Sequence, residues 1–314
     1  MRGPTGTVAV TGATGFVGRA ALERLLSAGH EVRALARTPQ APRPGVKWIE
    51  GALDRPDSLA WLVEDADVVL HIAGVVNAPD AAGFHAANVA GTGHLVDAAK
   101  AAGVNRFVHV SSLAAREPGL SDYGDSKFRG EKIVATSLMD WTIVRPPAVY
   151  GPGDMEMFEM FRLARQGIVP VPAKGRFSVI HVDDLARLLV ALLPSHEELT
   201  AGLFEPDDGR DEGWAHRDFA RALGAAFGKR PLVLPMPARI MALAAKVDVA
   251  VRRKKAKLTP DRARYFSHPD WTVAALRKPP EELWRPQIAT HQGLKDTARW
   301  YEQRGWFTRK RATE

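Results

Sequence analysis

TVAVTGATGFVG at residues 7–18 decides the fold. Its first five residues form a short apolar, β-branched run typical of a strand, and three glycines follow at a spacing that opens a helix. In such a unit Gly12 allows a tight turn, Gly15 lets the backbone approach a pyrophosphate, and Gly18 permits close packing of helix on sheet. The free N–H groups at the helix start then hold the phosphate. The alternative, a plain glycine turn, is disfavoured because a second strand follows directly.

Outward from this stretch, strand and helix patterns alternate along the chain. Helical spacing from Phe16 stops at Gly29, and EVRALA at 31–36 forms the next strand. Further strands are predicted at 46–50, 66–72, 106–110 and 141–144, and helices at 58–63, 84–101 and 123–136. This order predicts an α/β fold with a doubly wound parallel Rossmann sheet and right-handed crossovers.

After Tyr150 the pattern changes, which predicts a smaller C-terminal substrate domain made of separate pieces. We expect the dinucleotide-binding domain to hold residues 1–150 plus about 179–200, and the substrate domain to hold about 151–178 plus 201–314. A helix is predicted at 181–193 and another from Ala238 to about Val251.

Composition excludes several function classes. Apolar residues make up 46% of the 314 residues and charged residues 25%, which is typical of a globular protein rather than a disordered one. There is no cysteine, so disulfides, thiolate metal sites and a cysteine nucleophile are excluded. Neither a signal peptide nor a membrane span is evident, and we expect a cytoplasmic protein.

The charge balance favours anionic partners. Lys and Arg number 43 against 36 Asp and Glu, a net charge of +7, part of which lies in two basic runs at 252–257 and 309–311. A solvated basic face is the default interpretation of both runs. No nucleic-acid partner is expected, because basic and aromatic residues do not alternate along a strand.

The end of the second strand bears on the choice of cofactor. An NAD site usually places a carboxylate there, about 20 residues after the glycines, to accept a hydrogen bond from the ribose 2′-hydroxyl. This chain has Leu35-Ala36-Arg37-Thr38 instead. The Arg37 guanidinium is able to pair with a 2′-phosphate, so NADP(H) is predicted over NAD(H). The alternative is that Arg37 is a solvated loop residue.

Tyr123 and Lys127 have the YxxxK spacing, which puts both side chains on one face of a helix. A lysine charge beside a phenol lowers its pKa and helps it exchange a proton near neutral pH. Ser112, just after the predicted strand at 106–110, is a candidate hydrogen-bond donor to a substrate oxygen. The predicted catalytic residues are therefore Ser112, Tyr123 and Lys127.

With these motifs the sequence resembles the extended branch of the short-chain dehydrogenase/reductase superfamily, which includes NAD(P)-dependent epimerase/dehydratase-like members. The resemblance covers nearly the whole chain. It rests on TGATGFVG at 11–18, HIAG at 71–74, NVAGT at 88–92, VSS at 110–112, YGDSK at 123–127, RPPAVYGPGD at 145–154, HVDDLA at 181–186 and GLKDTARWY at 293–301.

The resemblance implies roles at matching positions. Tyr123 would be the general acid/base, Lys127 would hold the nicotinamide ribose and tune Tyr123, and Ser112 would orient the carbonyl or hydroxyl. The cofactor would contact Tyr123 as well as Lys127. It would also contact further residues along the motifs: Gly12, Thr14, Gly15, Phe16, Val17, Leu53, Ala73, Gly74, Pro146 and Val149. Asn88 would join a helix to the sheet. A homodimer is a family expectation.

Three further features qualify the resemblance. Many relatives carry Gly-Asp-Leu after the third strand, with the Asp on adenine, whereas this chain has Gly51-Ala52-Leu53. The short loop between Ser112 and Tyr123 suggests a less elaborate wall around the substrate than in sugar-modifying relatives. His71 is expected to make a structural hydrogen bond, and HVDDLA is expected to start a helix rather than to bind metal.

The later half of the chain indicates the substrate. An apolar stripe from Ile240 to Val251 precedes the basic run at 252–257. It fits a helix at an anionic membrane surface, or a core-packed helix with a solvated basic end, which is slightly favoured. This half is similar to that of hydroxysteroid dehydrogenase-like members and of bacterial reductases of keto-sphingolipids.

The leading hypothesis is NADPH-dependent reduction of a ketone on a hydrophobic, lipid-like substrate such as an oxidised ceramide. One alternative is a nucleotide-sugar epimerase or dehydratase, although Leu113 stands after Ser112 where dehydratases carry a carboxylate. The other alternative, from a different class, is a dinucleotide-sensing protein without turnover, which would not need Ser112, Tyr123 and Lys127 together.

Overall fold

The computed structural model describes residues 6–252 and 259–308. The predicted basic runs lie outside these residues, except for Arg252, which ends a helix. Within the described ranges no helix combines the length and the apolar character needed to cross a membrane.

Fourteen strands are described. They are β1 Thr7–Thr11, β2 Glu31–Ala36, β3 Val46–Glu50, β4 Val68–His71, β5 Arg106–Val110, β6 Asp140–Val144, β7 Ala148–Tyr150, β8 Ile168–Pro172, β9 Arg176–Phe177, β10 Val179–His181, β11 Gly202–Phe204, β12 Trp214–Ala215, β13 Leu232–Met236 and β14 Asp270–Trp271.

Eleven α-helices are described. They are α1 Phe16–Ser27, α2 Pro56–Val63, α3 Ala81–His85, α4 Gly91–Ala101, α5 Asp122–Ala135, α6 Phe158–Gln166, α7 Val182–Ala191, α8 His216–Ala225, α9 Ala238–Arg252, α10 Pro260–Phe266 and α11 Thr290–Gln303. A π-helical turn at Ala86–Ala90 joins α3 to α4.

Seven parallel strands form the main sheet in the order β11-β6-β5-β4-β1-β2-β3. The central strand β1 pairs with β2 on one side and β4 on the other, so the strand order reverses there. In open α/β sheets ligands bind at the carboxyl ends of the strands beside such a reversal. The predicted doubly wound Rossmann sheet is confirmed.

Burial explains why these segments are strands and helices. Strands β4 and β5 are buried throughout, as expected when helices cover both faces of a parallel sheet. Helix α1 buries Ala21, Leu22 and Leu25 at helical spacing. It ends before Gly29, whose φ of +86° is the left-handed conformation that glycine adopts most readily at a helix end.

Most predicted element bounds differ from the structure by only a few residues. The long helix predicted at 84–101 is instead α3, the π-helical turn and α4 in succession. The predicted helix at 181–193 is shorter, because His181 still belongs to β10 and pairs with Tyr150. Helix ends of this kind depend on tertiary pairing that the local pattern does not contain.

The chain divides into two compact units. The first holds residues 6–146, 185–206 and 276–285, and the second holds the described residues of 147–184, 207–275 and 286–308. The predicted division differs from these units at four segments. Residues 201–206 and 276–285, predicted in the substrate domain, join the first unit, because β11 extends the main sheet beside β6 and the Glu205 amide donates to the Arg277 carbonyl. Residues 147–150 and 179–184, predicted in the dinucleotide-binding domain, join the second unit, where β7 pairs with β10.

The second unit has its own core of aromatic and aliphatic side chains, contributed by α6, α8 and α11. Its largest members are the aromatic side chains of Trp214, Tyr150, Tyr301, Phe158, Phe161 and Phe219. Small sheets surround this core: β7 pairs with β10, β8 with β13, and β9 with both β12 and β14.

Helix α9 of the second unit differs from the core-packed helix that the sequence slightly favoured. Met241 and Ala245 are buried on one face. Four apolar side chains one or two turns apart are instead half or more exposed: Ile240 51%, Leu243 63%, Val247 54% and Val251 75%. The helix therefore carries an apolar stripe that the described residues do not cover.

Candidate active site

The glycine turn between β1 and α1 lies at the carboxyl end of the central strand. Gly12 has a φ of +76°, and a Cβ there would lie 2.7 Å from the Ala73 amide nitrogen. A Cβ on Gly18 would lie 1.9 Å from the Gly12 carbonyl oxygen. Both positions therefore require glycine for close backbone approach, as the motif predicts.

Gly15 has a different environment, which fits a phosphate. It is exposed and extended at the N-cap of α1, and a Cβ there would meet only the Gly12 oxygen, at 3.2 Å. Within the described chain no side chain caps this helix, and its first turn carries no acidic residue. Uncapped N–H groups with an open approach can bind a pyrophosphate, and Thr14, Phe16 and Val17 flank that approach.

The segment after β4 lies directly beside this turn. The Ala73 amide donates to Thr11 Oγ1, and Ala73 also meets Gly12 as described above. A Cβ on Gly74 would lie 2.9 Å from Asn88 Oδ1 and 3.5 Å from Lys127 Nζ. The structure thus brings Ala73 and Gly74 between the glycine turn and Lys127.

Arg37 and Leu53 follow the next two strands toward the sheet edge. Arg37 comes directly after β2 and is exposed, so its guanidinium is accessible to a ligand. Leu53 packs against α4, where a Cβ on Gly91 would lie 2.9 Å from the Leu53 Cβ. Position 52, where many relatives carry an aspartate that contacts adenine, is Ala52 in this chain.

Ser112 lies just beyond β5 and caps a 3₁₀-helical turn at Leu113–Arg116 by accepting a hydrogen bond from the Ala114 amide. Its two neighbours are held by backbone hydrogen bonds: the Ser111 amide donates to the Val144 carbonyl and the Leu113 amide to the Pro146 carbonyl. The Ser112 side chain is therefore fixed at the carboxyl end of the sheet.

Tyr123 and Lys127 lie one turn apart on α5, which is packed against the Ser112 segment at two points. The Lys127 Nζ donates to the Val110 carbonyl at 2.8 Å. A Cβ on Gly124 would lie 2.7 Å from the Ala114 carbonyl oxygen. These contacts hold Ser112, Tyr123 and Lys127 at one end of the sheet, with the Tyr123 ring 6.0 Å from that of Phe84.

Electrostatics at Lys127 are unusual for a lysine. The side chain is buried, and this burial lowers its pKa to about 8, while the charge of Glu131 acts in the opposite direction. A lysine whose proton is held this weakly is sensitive to pH in the range where enzymes operate.

Pro146 and Val149, predicted on the nicotinamide side, belong to different units. Pro146 is the last residue of the first segment of the first unit, and its carbonyl accepts the hydrogen bond from the Leu113 amide. Val149 lies on β7 of the second unit, where it pairs with Ile180.

Asn88 and His71 have the structural roles predicted for them. Asn88 bonds the backbone of Val75 through both amide atoms and donates to Ser126 on α5, so it joins the segment after β4 to that helix. His71 is fully buried between the hydroxyls of Thr11 and Thr92. Burial lowers its pKa to about 3, which leaves it neutral.

The HVDDLA motif also has a structural role. Both carboxylate oxygens of Asp184 accept hydrogen bonds from the backbone amides of Gln287 and Ile288, and Asp183 lies in the first turn of α7. Among residues 6–252 and 259–308 no group of three or more His, Asp or Glu side chains is arranged to hold a metal ion.

One set of residues beside the site was missed by the sequence analysis. Glu131, one turn after Lys127, accepts two hydrogen bonds from Arg145, at 2.8 and 2.6 Å, and one from Ser111. Both Glu131 and Arg145 are buried. Two features of the sequence could have indicated this pair. Glu131 is a charged residue four positions after Lys127, and Arg145 is an arginine at the end of an apolar strand.

Comparisons with known proteins agree with this geometry. Residues 8–203 match the model of the NAD dependent epimerase/dehydratase family. The chain is 36% identical over 311 residues to a ceramide reductase of Caulobacter vibrioides, covering 96% of each chain. It is 27% identical to a UDP-glucose 4-epimerase of Vibrio cholerae, covering 95% of this chain and 96% of that one.

A solved structure shows the same fold. MoeE5 in complex with UDP-glucose and NAD superimposes with a TM-score of 0.75 at 21% identity, covering 95% of this chain and 99% of that chain. At this level of identity the likeness concerns the fold alone.

Proposed function

Since this chain belongs to the NAD dependent epimerase/dehydratase family and is an NAD(P)-dependent oxidoreductase of the short-chain dehydrogenase/reductase type, we propose that it reduces a ketone on a hydrophobic, lipid-like substrate with NADPH. The observation that carries this proposal is the similarity to a ceramide reductase along almost the whole of both chains. This similarity spans both units of the chain.

The residues of the glycine turn fit a bound dinucleotide. Gly15 and the uncapped start of α1 would hold the pyrophosphate, and Ala73 and Gly74 would border the adenosine side. When bound, the nicotinamide supplies a hydride to the carbonyl carbon. Arg37, exposed after β2, would pair with the 2′-phosphate of NADPH.

The side chains at the end of the sheet would supply the proton. Tyr123 would donate its phenolic proton to the carbonyl oxygen as the carbon accepts the hydride, which yields a secondary alcohol. The ammonium of Lys127 would stabilise the phenolate that remains, and Ser112 would donate a hydrogen bond that orients the carbonyl. Leu113 next to Ser112 is apolar and buried, so the carboxylate that a dehydratase needs there is missing.

The test is NADPH oxidation, followed by absorbance, with a 3-keto-ceramide, a 3-ketosteroid and several nucleotide sugars. The proposal predicts oxidation with a lipid ketone. Tyr123→Phe is expected to lower kcat by about 10²–10⁴-fold, since it removes the general acid, with cofactor affinity retained as its control. Full activity in Tyr123→Phe would show that the proton comes from elsewhere.

Cofactor preference has a separate test. Arg37→Ala is expected to weaken NADPH binding by about tenfold, the loss of one charge-assisted contact to a phosphate, and to leave NADH binding unchanged. Equal affinities for both cofactors, unaffected by the substitution, would show that Arg37 is a solvated loop residue.

Epimerisation of a nucleotide sugar is the second candidate. It is favoured by the nearly full-length similarity to the UDP-glucose 4-epimerase of Vibrio cholerae. Such a reaction has no net redox change. Conversion of a nucleotide sugar without NADPH consumption, and without reduction of any ketone in the panel, would establish it.

We also propose that the second unit contacts an anionic membrane surface, where a lipid substrate would be found. The apolar stripe of α9 is one part of that surface. The paired strands β8 and β13 form another, because Ile168, Pro170, Leu232 and Leu234 are exposed on one face. Basic residues Arg239 and Lys246 lie beside the stripe at helical spacing, as in interfacial helices.

Co-sedimentation with phosphatidylglycerol vesicles at low salt tests this contact. Leu243→Glu is expected to reduce binding, since it places a charge in the apolar stripe. Leu276→Glu is the matched control, because Leu276 is fully exposed but belongs to the first unit. Equal binding of both variants, or none by the unaltered protein, would contradict the contact.

A further inference from the structure

The charge of Lys127 is favoured by one carboxylate on the same helix, that of Glu131. Two imidazoles, those of His71 and His109, face it from β4 and β5, and burial keeps both of them neutral by lowering their pKa. Neither balances the lysine charge. Among the described groups, Glu131 is the residue whose charge favours the ammonium of Lys127.

Glu131 also connects to the segment that carries Ser112. Its carboxylate accepts hydrogen bonds from the Ser111 hydroxyl and from Nε and Nη2 of Arg145. Arg145 lies between Val144 and Pro146, whose carbonyls hold the amides on either side of Ser112. One carboxylate thus contacts the helix of Tyr123 and Lys127 and both strand ends that position Ser112.

Beyond the pair of Glu131 and Arg145, further charged side chains of alternating sign follow. Arg145 Nη1 lies 3.5 Å from Glu205 Oε1, and Glu205 Oε2 lies 4.0 Å from Arg116 in the turn after Ser112. Glu205 is fully buried. Buried ions in such a chain are costly to leave uncompensated, so removal of one charge is felt by its neighbours.

We propose that Glu131 is a positioning residue of this site: its carboxylate keeps the Lys127 ammonium charged and fixes the Ser111–Ser112 segment against α5. It touches neither substrate nor cofactor in this role and acts through Lys127 and Ser111. The kinetic part of the inference rests on the proposed reductase function, whereas the effect on Lys127 is a property of the free protein.

The test is the titration of Lys127 in the full-length protein without cofactor, followed by NMR of its side-chain Nζ and assigned with Lys127→Arg. Glu131→Gln removes the charge and keeps the shape. We expect the midpoint of the Lys127 titration to fall by about one pH unit, the low end of the shift that one nearby opposite charge produces. The alkaline limb of kcat for ketone reduction is expected to move to lower pH by the same amount.

Asp125→Asn is the matched control. It makes the same charge change on the same helix, but Asp125 is partly exposed and pairs with Arg129, so water screens its charge. We expect no shift of the Lys127 midpoint in this variant. A purely structural role of Glu131 would lower stability without moving the Lys127 midpoint.

If Glu131→Gln does not fold, the double variant Glu131→Met with Arg145→Met removes both members of this buried pair, and Glu205 keeps Arg116, 4.0 Å away, as its partner. It is expected to lower the Lys127 midpoint as well, because Glu131 is the member of the pair whose charge acts on Lys127. An unchanged or raised midpoint in a folded variant would overturn the inference. A protein that reduces no ketone would refute the proposed function instead, and the NMR titration would still decide the role of Glu131.

Discussion

Gly15→Ala and Gly18→Ala should have different consequences, although the two glycines are three residues apart in one motif. The Cβ of Gly15→Ala would lie at the exposed start of α1, 3.2 Å from the Gly12 oxygen, which would have to shift by a few tenths of an ångström. The Cβ of Gly18→Ala would lie 1.9 Å from the same oxygen. The first change therefore alters a ligand surface, and the second alters packing.

The magnitudes follow from these contacts. Ordinary contact begins near 3.4 Å, so Gly18→Ala must separate two backbone segments by about 1.5 Å. Overpacking of this kind costs up to about 3 kcal/mol, and the better helix propensity of alanine returns about 1 kcal/mol. We expect the free energy of unfolding to fall by about 2 kcal/mol. For Gly15→Ala, whose φ of −78° suits any residue, we expect the free energy of unfolding to fall by less than about 1 kcal/mol, because alanine is a poorer N-cap than glycine.

The assay pairs urea unfolding with calorimetric titration of NADP+. Gly15→Ala is expected to retain most of its stability and to bind NADP+ at least about tenfold more weakly, since the new methyl group lies where the pyrophosphate would bind. Gly18→Ala is expected to lose stability. Unchanged NADP+ affinity in Gly15→Ala would refute the placement of the pyrophosphate at the start of α1.

Two further predictions concern buried groups of the main sheet. Both ring nitrogens of His109 lack a hydrogen-bond partner among the described residues, and burial lowers the pKa of this imidazole well below 6.5. As the pH falls below about 6.5, the unfolded chain takes up a proton at His109 that the folded protein does not, so the free energy of unfolding decreases. His109→Leu should therefore make the free energy of unfolding, measured in urea at pH 7.5 and pH 5, less dependent on pH; an unchanged pH dependence would contradict this. Arg106→Met should lower the free energy of unfolding by about 3–5 kcal/mol, since it leaves buried Asp140 without the guanidinium 2.9 Å away; a loss below about 1 kcal/mol would contradict it.

The sequence was sufficient for the parts of the fold that depend on local pattern. Glycine spacing at 11–18 and a nearly continuous apolar run such as that at 66–72, which contains β4, identify a parallel sheet without further information. The position of β11 was not predictable in this way, because its three residues are assigned to the main sheet only by pairing with β6, about 60 residues earlier.

In the candidate site, too, some features follow from local pattern and others depend on tertiary contacts. Tyr123 and Lys127 share a helix, so their spacing alone predicted a common face. The pairing of Glu131 with Arg145 joins α5 to the end of β6, and no periodicity in either segment indicates a partner in the other. Similarly, the apolar residues of α9 have helical spacing whether they are buried or exposed, and only the structure showed that Leu243 and Val247 are exposed.

Transfer of deuterium from NADPH labelled at the nicotinamide C4 to a 3-keto-ceramide is the decisive measurement of the proposed reduction. The product is analysed by mass spectrometry, with Tyr123→Phe in parallel. We expect a ceramide one mass unit heavier than with unlabelled cofactor, and a rate about 10²–10⁴-fold lower in Tyr123→Phe. A nucleotide sugar epimerised without deuterium, with the ketone unreduced, would contradict the proposed reduction.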